Sequence, residues 1–303
     1  MEEEKRVQWY QNALYLLPEH LQRAARNCSK THQAEAEELR LRMGQPLSLL
    51  GTKGEISLSE EPICAQDLQT VLDRATEFSA YHSADSIRRG YITVRGGCRI
   101  GLCGTAVQRG GEIATLQDLS SLAIRIAKEI RGSAQTLYPL LWQEGWFEST
   151  LLIAPPGGGK TTLLRDLIRC LSNGDGNHPA LRVSVVDERG EIAAVHGGCA
   201  QFDVGAHTDI LAGTAKAEGI LMLLRAMNPQ LIAVDEITDP EDIRAMGLAA
   251  NCGVSFLATV HGQNLQEIRR RRICRELLDT ELFHQFVILK RSGGKHIWQV
   301  ERC

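Results

Sequence analysis

No apolar run in this sequence approaches the roughly 18 residues that a membrane-spanning helix needs. The start, Met-Glu-Glu-Glu-Lys-Arg, places no apolar stretch behind a basic region, so a secretory leader is not expected. Paired cysteines are also missing. The nine cysteines, at 28, 64, 98, 103, 170, 199, 252, 274 and 303, are scattered, odd in number and contain no C-x-x-C pair. That excludes an obvious zinc site or disulfide framework and fits packed, reduced thiols in the cytosol. Charge of one sign is not in excess: 34 Lys and Arg against 37 Asp and Glu give a net charge of -3. Nothing global marks a nucleic-acid binder, although a local patch stays open. No internal repeat or low-complexity tract is present.

What is there suits a folded chain of about two domains. The 303 residues are 43% hydrophobic and 23% charged, enough apolar material for a sizeable core. Residues 7–27 read as a helix with Ala13, Leu14, Leu17, Leu21 and Ala24 on one side, interrupted at Pro18. Glu38 to Leu50 reads as strand, turn and strand. Asp67 to Ser79 reads as a helix, Tyr91 to Val107 as a hairpin around Gly96-Gly97, and Leu122 to Ile130 as a strand. Residues 1–131 are therefore expected to form a small α+β domain. Residues 132–303 form a second one, entered through a helix around Leu137 to Trp142.

The second half changes character. The continuous apolar runs Leu151–Ala154, Val183–Val186, Leu231–Val234 and Phe256–Val260 alternate with helical patterns. Strands buried on both faces by helices look like this, so an α/β domain with a mostly parallel sheet is expected. Ala217, Ile220, Leu221 and Leu224 fit a helix that ends before Pro229. Phe286–Leu289, Ser292-Gly293-Gly294 and His296–Val300 fit a terminal hairpin.

The first of these runs leads into Ala154-Pro155-Pro156-Gly157-Gly158-Gly159-Lys160-Thr161-Thr162, a glycine-rich loop that opens an apolar-periodic helix. Glycines let backbone N–H groups curl around phosphate oxygens, and the helix N-terminus adds partial positive charge. This P-loop predicts ATP as ligand, with Lys160 on the β- and γ-phosphates and the Thr161 hydroxyl on Mg²⁺. Ala154 stands where the first glycine is usual, and its methyl group is expected to crowd the turn. Leu231–Val234 then delivers Asp235 and Glu236 to a strand end: Asp235 for Mg²⁺, Glu236 for the attacking water. Two more strand ends, Asp187-Glu188-Arg189 and His261, are candidate γ-phosphate sensors. The basic run Arg269–Arg272, read as helical, spreads around an axis and suits a solvated face or an acidic partner better than nucleic acid.

With these motifs the sequence resembles the RecA-like secretion ATPases of type II and type IV systems and pilus motors. In that family a P-loop, an acidic box, a D-E strand and a histidine box recur. Here they fall on Ala154–Thr162, Asp187–Glu188, Asp235–Glu236 and Thr259-Val260-His261. Longer stretches resemble a stage III sporulation family of endospore-forming bacteria: Glu38 to Pro46, Gly90 to Val94, Leu122 to Ile130, Val186 to Ile192 and Lys216 to Gly219. The resemblance implies a homo-oligomer, expected to be a hexamer, with an N-terminal domain that caps the nucleotide. An arginine from Arg95, Arg99, Arg125 or Arg131 would reach the γ-phosphate, with Arg125 preferred. It also implies a peripheral enzyme on the mother-cell side of a channel to the forespore, docked on membrane proteins. Two alternatives stay open: a nucleic-acid-stimulated RecA-like ATPase, and a nucleotide-binding scaffold without turnover.

Overall fold

The computed structural model describes residues 2–77, 87, 88, 90–292 and 295–302. The chain divides into two compact units: Met1–Lys128 with Ala194–Gln201, and Glu129–Ala193 with Phe202–Cys303. The sequence gives no hint that Ala194–Gln201 groups with the first half.

In the first unit, helices α1 (Glu2–Ala13), α2 (Glu19–Arg26) and α3 (Lys30–Glu35) precede a six-stranded sheet of order β3-β2-β1-β6-β5-β4. The expected helix over 7–27 is two helices joined by a 3₁₀ turn at Leu14–Leu16. Pro18, extended at ψ 154°, sits at the N-cap of α2, where its missing N–H costs nothing. Strands β1 (Ala36–Arg42) and β2 (Pro46–Gly51) form the expected strand–turn–strand, and β3 spans Gly54–Pro62. Helix α4 covers Ala65–Ala75; the end of its expected range, at residues 78 and 79, lies outside the described residues. The hairpin of β4 (Tyr91–Thr93) and β5 (Arg99–Arg109) turns at Gly96-Gly97, both at positive φ. β6 runs from Glu112 to Arg125, starting earlier and stopping sooner than the Leu122–Ile130 reading. Leu39 and Leu41, Ile100 and Leu122 and Ile124 point to the buried side, which the helices cover.

The second unit is a seven-stranded sheet of order β11-β10-β12-β13-β9-β14-β15. Its four predicted strands are β9 (Thr150–Ala154), β10 (Val183–Asp187), β12 (Leu231–Val234) and β13 (Ser255–His261), paired in parallel. β14 (Gln285–Ser292) lies parallel to β9 and pairs antiparallel with β15 (Lys295–Arg302), forming the terminal hairpin, whose Gly293-Gly294 lie outside the described residues. Every residue of β9, β10 and β12 is buried, as a sheet covered on both faces requires. The edge strand β11 (Thr208–Ala212) has no counterpart in the sequence reading; half-exposed, it offers only the short apolar run Ile210-Leu211-Ala212. The expected helix near Leu137 is a 3₁₀ turn, Tyr138–Leu141, followed by the two-residue strands β7 (Trp142–Gln143) and β8 (Trp146–Phe147). The helices are α5 (Lys160–Asn173), α6 (Lys216–Ala226), α7 (Pro240–Ala250), α8 (Leu265–Ile268) and α9 (Arg272–Asp279). Arg269–Arg272 is therefore not one helical run. Its exposed arginines span the break between α8 and α9, where Arg269 closes the first helix and Arg271 precedes the second.

Candidate functional site

In this parallel sheet the C-terminal ends of β9, β10, β12 and β13 converge, and the sequence-predicted residues converge with them. Gly157 and Gly159 sit at φ +69° and +84°, a region that side chains rarely adopt. Gly158 is required for another reason: a Cβ there would meet the Pro155 carbonyl oxygen at 2.8 Å and the Ala154 methyl at 3.0 Å. The Gly158 N–H donates to that same carbonyl at 3.0 Å, closing the loop. Ala154 does not crowd the turn as expected. It is the last residue of β9, registered opposite His261, with an ordinary backbone, and its methyl fills the space that Gly158 leaves. Helical hydrogen bonding starts with Leu163 N–H to Gly159, so the amides of Lys160, Thr161 and Thr162 precede it. These residues line a cleft of about 350 Å³ with Glu191, Asp235, Glu236 and His261, within the ~300–1,000 Å³ typical of small-molecule sites.

Lys160 is buried at the floor of that cleft. Its Nζ donates to Ala154 O at 3.3 Å, to Pro155 O at 3.5 Å and to His261 Nδ1 at 2.8 Å. All three acceptors are neutral. Burial lowers its pKa from the ordinary lysine value, and the nearby Asp235 and Glu236 charges oppose that. His261 Nε2 lies 3.0 Å from Glu236 Oε1, and Arg189 Nη1 donates to Glu236 Oε2 at 2.7 Å. One imidazole tautomer serves both contacts, Nδ1 accepting and Nε2–H donating. The result is a continuous chain, Lys160–His261–Glu236–Arg189.

A second set centres on Asp235. Thr161 Oγ1 donates to Asp235 Oδ2 at 2.7 Å, and Thr259 Oγ1 donates to Oδ1 at 2.5 Å. Thr259 also accepts the Glu236 N–H at 2.9 Å, and its carbonyl takes the Ile237 N–H at 2.9 Å. Those bonds hold Glu236 at φ +55°, a left-handed conformation that costs a non-glycine residue about 1–2 kcal/mol. Thr259 belonged to the expected histidine box but not to the expected site. A lone hydroxyl residue inside the apolar run Phe256–Val260 was the available signal.

The acidic pair after β10 divides. Asp187 is buried and accepts the N–H groups of Glu191, Ile192 and Ala193 at 2.9–3.1 Å, so it organises its own loop. Glu188 pairs with the buried Lys216 of α6 and lines a small chamber with Arg189, Asp235 and Glu236. Arg165 of α5 donates to the carbonyls of Ile192 and Glu191, both at 2.6 Å, and its guanidinium lies 3.9 Å over the Phe202 ring. Neither Arg165 nor Lys216 was picked out from sequence as part of the site.

The arginine candidates divide between the two units. Arg95, Arg99 and Arg125 belong to the first unit: Arg125 pairs with Glu38 at 3.1 Å, and Arg99 stacks on Tyr91 at 3.7 Å. Arg131 belongs to the second unit and pairs with Glu129 and Asp203. Among the described residues, no group of three or more His, Cys, Asp or Glu is arranged to hold a metal. The hydroxyl–carboxylate pair Thr161–Asp235 beside an ammonium does fit a magnesium ion shared with phosphate oxygens.

The solved structures similar to this chain share its fold. The Legionella pneumophila ATPase DotB superposes with TM-score 0.59 at 16% identity, over 94% of this chain and 80% of that one. The pilus retraction motor PilT with bound ADP superposes with TM-score 0.60 at 15% identity, over 88% and 78%. The second unit is thus a RecA-like α/β core with a mostly parallel sheet, preceded by a smaller α+β unit. Stage III sporulation protein AA of Bacillus subtilis (strain 168) is 36% identical over 279 residues, 92% of this chain and 90% of that protein. The profile of the family described as "Sporulation stage III, protein AA" matches residues 5–299, and the chain belongs to that family.

Proposed function

We propose that this chain is a Mg²⁺-dependent ATPase that works as the mechanoenzyme of a secretion-type complex and energises a mother-cell-to-forespore channel during endospore formation. The observation that carries the reading is the floor of the cleft, where a buried Lys160 ammonium has only neutral acceptors at the mouth of a three-glycine loop. Phosphate oxygens are stronger partners for an ammonium than carbonyls or imidazole, because charge-assisted bonds are about twice as strong as neutral ones.

In this reading the amides of Gly157–Gly159 and of the start of α5 hold the phosphate oxygens, and Lys160 bonds the β- and γ-phosphates. Thr161 and Asp235 would hold Mg²⁺, which supplies neutralisation of the charge shared by those phosphates. Glu236 orients water in line with the γ-phosphorus. The attacking oxygen bonds to phosphorus as the bond to the β–γ bridging oxygen breaks and a water proton passes to the Glu236 carboxylate, giving ADP and phosphate. Glu188 and His261 report the state of the γ-phosphate. The fold shared with DotB and PilT supports a motor, and the family name supports sporulation as its setting. We extend the reading to a hexamer, peripheral to the membrane on the mother-cell side, docked on membrane proteins and independent of nucleic acid. No described helix is long and apolar enough to cross a membrane.

Calorimetry and phosphate release test the core of this. Lys160→Ala is expected to lose binding of Mg·ATP. Glu236→Gln is expected to bind it while releasing phosphate at least about 100-fold more slowly than wild type, the scale of a lost acid–base group. Full turnover by Glu236→Gln removes the assigned water activator, and wild-type binding without phosphate release leaves a scaffold.

A further inference from the structure

The carboxylate that the proposed reaction depends on is clamped from both sides, and one of the clamps, Arg189, has entered only as part of a candidate γ-phosphate sensor. Glu236 Oε1 meets His261 and Glu236 Oε2 meets Arg189. Arg189 is more than half exposed, so the fold does not need it for its core. Its position is nevertheless heavily determined. The residue two before it, Asp187, is buried and fixed by three backbone N–H groups from Glu191, Ile192 and Ala193. The far side of the loop is fixed by Arg165, which takes the carbonyls of Glu191 and Ile192. The sequence neighbour of Arg189, Glu188, is one carboxylate that could compete for it. Glu188 is instead paired with Lys216, whose Nζ also lies 3.9 Å from Asp242. With Glu188 held by Lys216, the Arg189 guanidinium bonds Glu236.

We propose that Arg189 is a positioning residue in cis for Glu236: with His261 it fixes the plane of the Glu236 carboxylate and so aims the remaining lone pairs at the attacking water. This rests on the ATPase reading above and goes beyond it, because nothing in the P-loop or strand-end motifs assigns an arginine from the same chain to the water-activating carboxylate. An ionised carboxylate has about four acceptor positions, of which the two clamps occupy two. The Glu236 backbone is already held in a left-handed conformation by Thr259, so its side chain leaves the strand end in one direction. Arg189 removes the rotational freedom that remains.

The experiment is steady-state phosphate release by wild type, Arg189→Ala, Arg189→Lys, Glu236→Gln and the Arg189→Ala/Glu236→Gln double variant, with Mg·ADP calorimetry on each. The expected result is that Arg189→Ala loses kcat by about 10- to 100-fold, the range that loss of an outer partner costs a reacting group. KM and the Mg·ADP affinity stay within about twofold of wild type, which also shows that the variant is folded. Arg189→Lys regains part of kcat, because an ammonium can supply the one lost bond but without the fixed direction of the planar guanidinium. The double variant is no slower than Glu236→Gln alone, as coupled residues require. The proposal is overturned if Arg189→Ala turns over like wild type while Glu236→Gln does not, or if its loss lies in KM and Mg·ADP affinity. It is equally overturned if the double variant falls well below Glu236→Gln. A wild-type protein that binds Mg·ATP without releasing phosphate would sink the ATPase reading instead, so the two failures are distinguishable.

Discussion

Three adjacent glycines carry the phosphate loop for two different physical reasons, and the difference is measurable. Gly157 has open space around its missing Cβ and is constrained only by its φ of +69°. An alanine there costs about 1–2 kcal/mol of backbone strain. Gly158 is constrained by contact, because its Cβ would overlap the Pro155 carbonyl that accepts its own N–H. Relief requires the loop backbone to move, and overpacking of that kind costs about 1–3 kcal/mol. Gly158→Ala is therefore expected to weaken Mg·ATP binding at least about tenfold. Ala154→Gly is expected to leave affinity unchanged and to lower the melting temperature slightly, since it deletes one buried methyl worth about 0.8 kcal/mol. Added to Gly158→Ala, it should restore part of the affinity, because it clears one of the two overlapping groups. Calorimetry and thermal melts check all three. The composition of the loop was legible in the sequence, since Gly-Gly-Gly-Lys-Thr after an apolar run has few other uses. The reason for each glycine was not, because φ and close approach are properties of the folded backbone. The same holds for Ala154: a methyl group reads as an intrusion until Gly158 is seen beside it.

Between strand and loop the determining unit is the segment from Asp187 to Ala193. One buried carboxylate satisfies three backbone N–H groups there, and one buried guanidinium satisfies two carbonyls. Burial lowers the Arg165 pKa, with nearby acidic groups including Glu129 and Asp187 opposing that. Asp187→Ala leaves those three amides without their acceptor, at about 1–3 kcal/mol for each that stays buried. It is expected to destabilise the protein by several kcal/mol in denaturant titration and to release Glu188 and Arg189 from their places. Strands β9, β10, β12 and β13 could be read from continuous apolar runs, because a parallel sheet under helices buries both faces. β11 was not, since this half-exposed edge strand carries only a three-residue apolar run after two polar residues. Asp187 illustrates a further limit. Its place at a strand end suggested chemistry, but both its oxygens are engaged by its own loop. Glu188 and Arg189, the two residues after it, line the chamber with Asp235 and Glu236, and Arg189 bonds Glu236. Strand-end position marks a neighbourhood, and only hydrogen-bond partners separate a scaffold residue from a reactive one.

For the whole molecule, the open element of the proposed mechanism is the arginine that meets the γ-phosphate. Arg125 shares its partner: the Glu38 carboxylate pairs with Arg125 through one oxygen and with Arg40 through the other. One carboxylate balances two guanidinium groups, so Arg125 can leave for a phosphate without stranding an unpaired acid. Arg125 itself is exposed, and a pair with an exposed partner contributes little, whereas an arginine delivered to a transferring phosphoryl group accelerates it by about 10³–10⁵. We expect that arginine to come from a neighbouring subunit of the proposed hexamer. Light scattering should then show assembly in the presence of Mg·ATP, and turnover per chain should rise with protein concentration. Arg125→Ala should assemble normally and hydrolyse slowly. Mixing decides the geometry. A subunit with Arg125→Ala keeps its own Glu236, and a Glu236→Gln subunit still carries Arg125. Neither turns over alone, but co-assembled they should regain activity, because an intact Glu236 site then meets an intact Arg125 from next door. If the arginine serves its own subunit, every site in the mixture lacks one of the two groups, and phosphate release stays at the level of the separate variants.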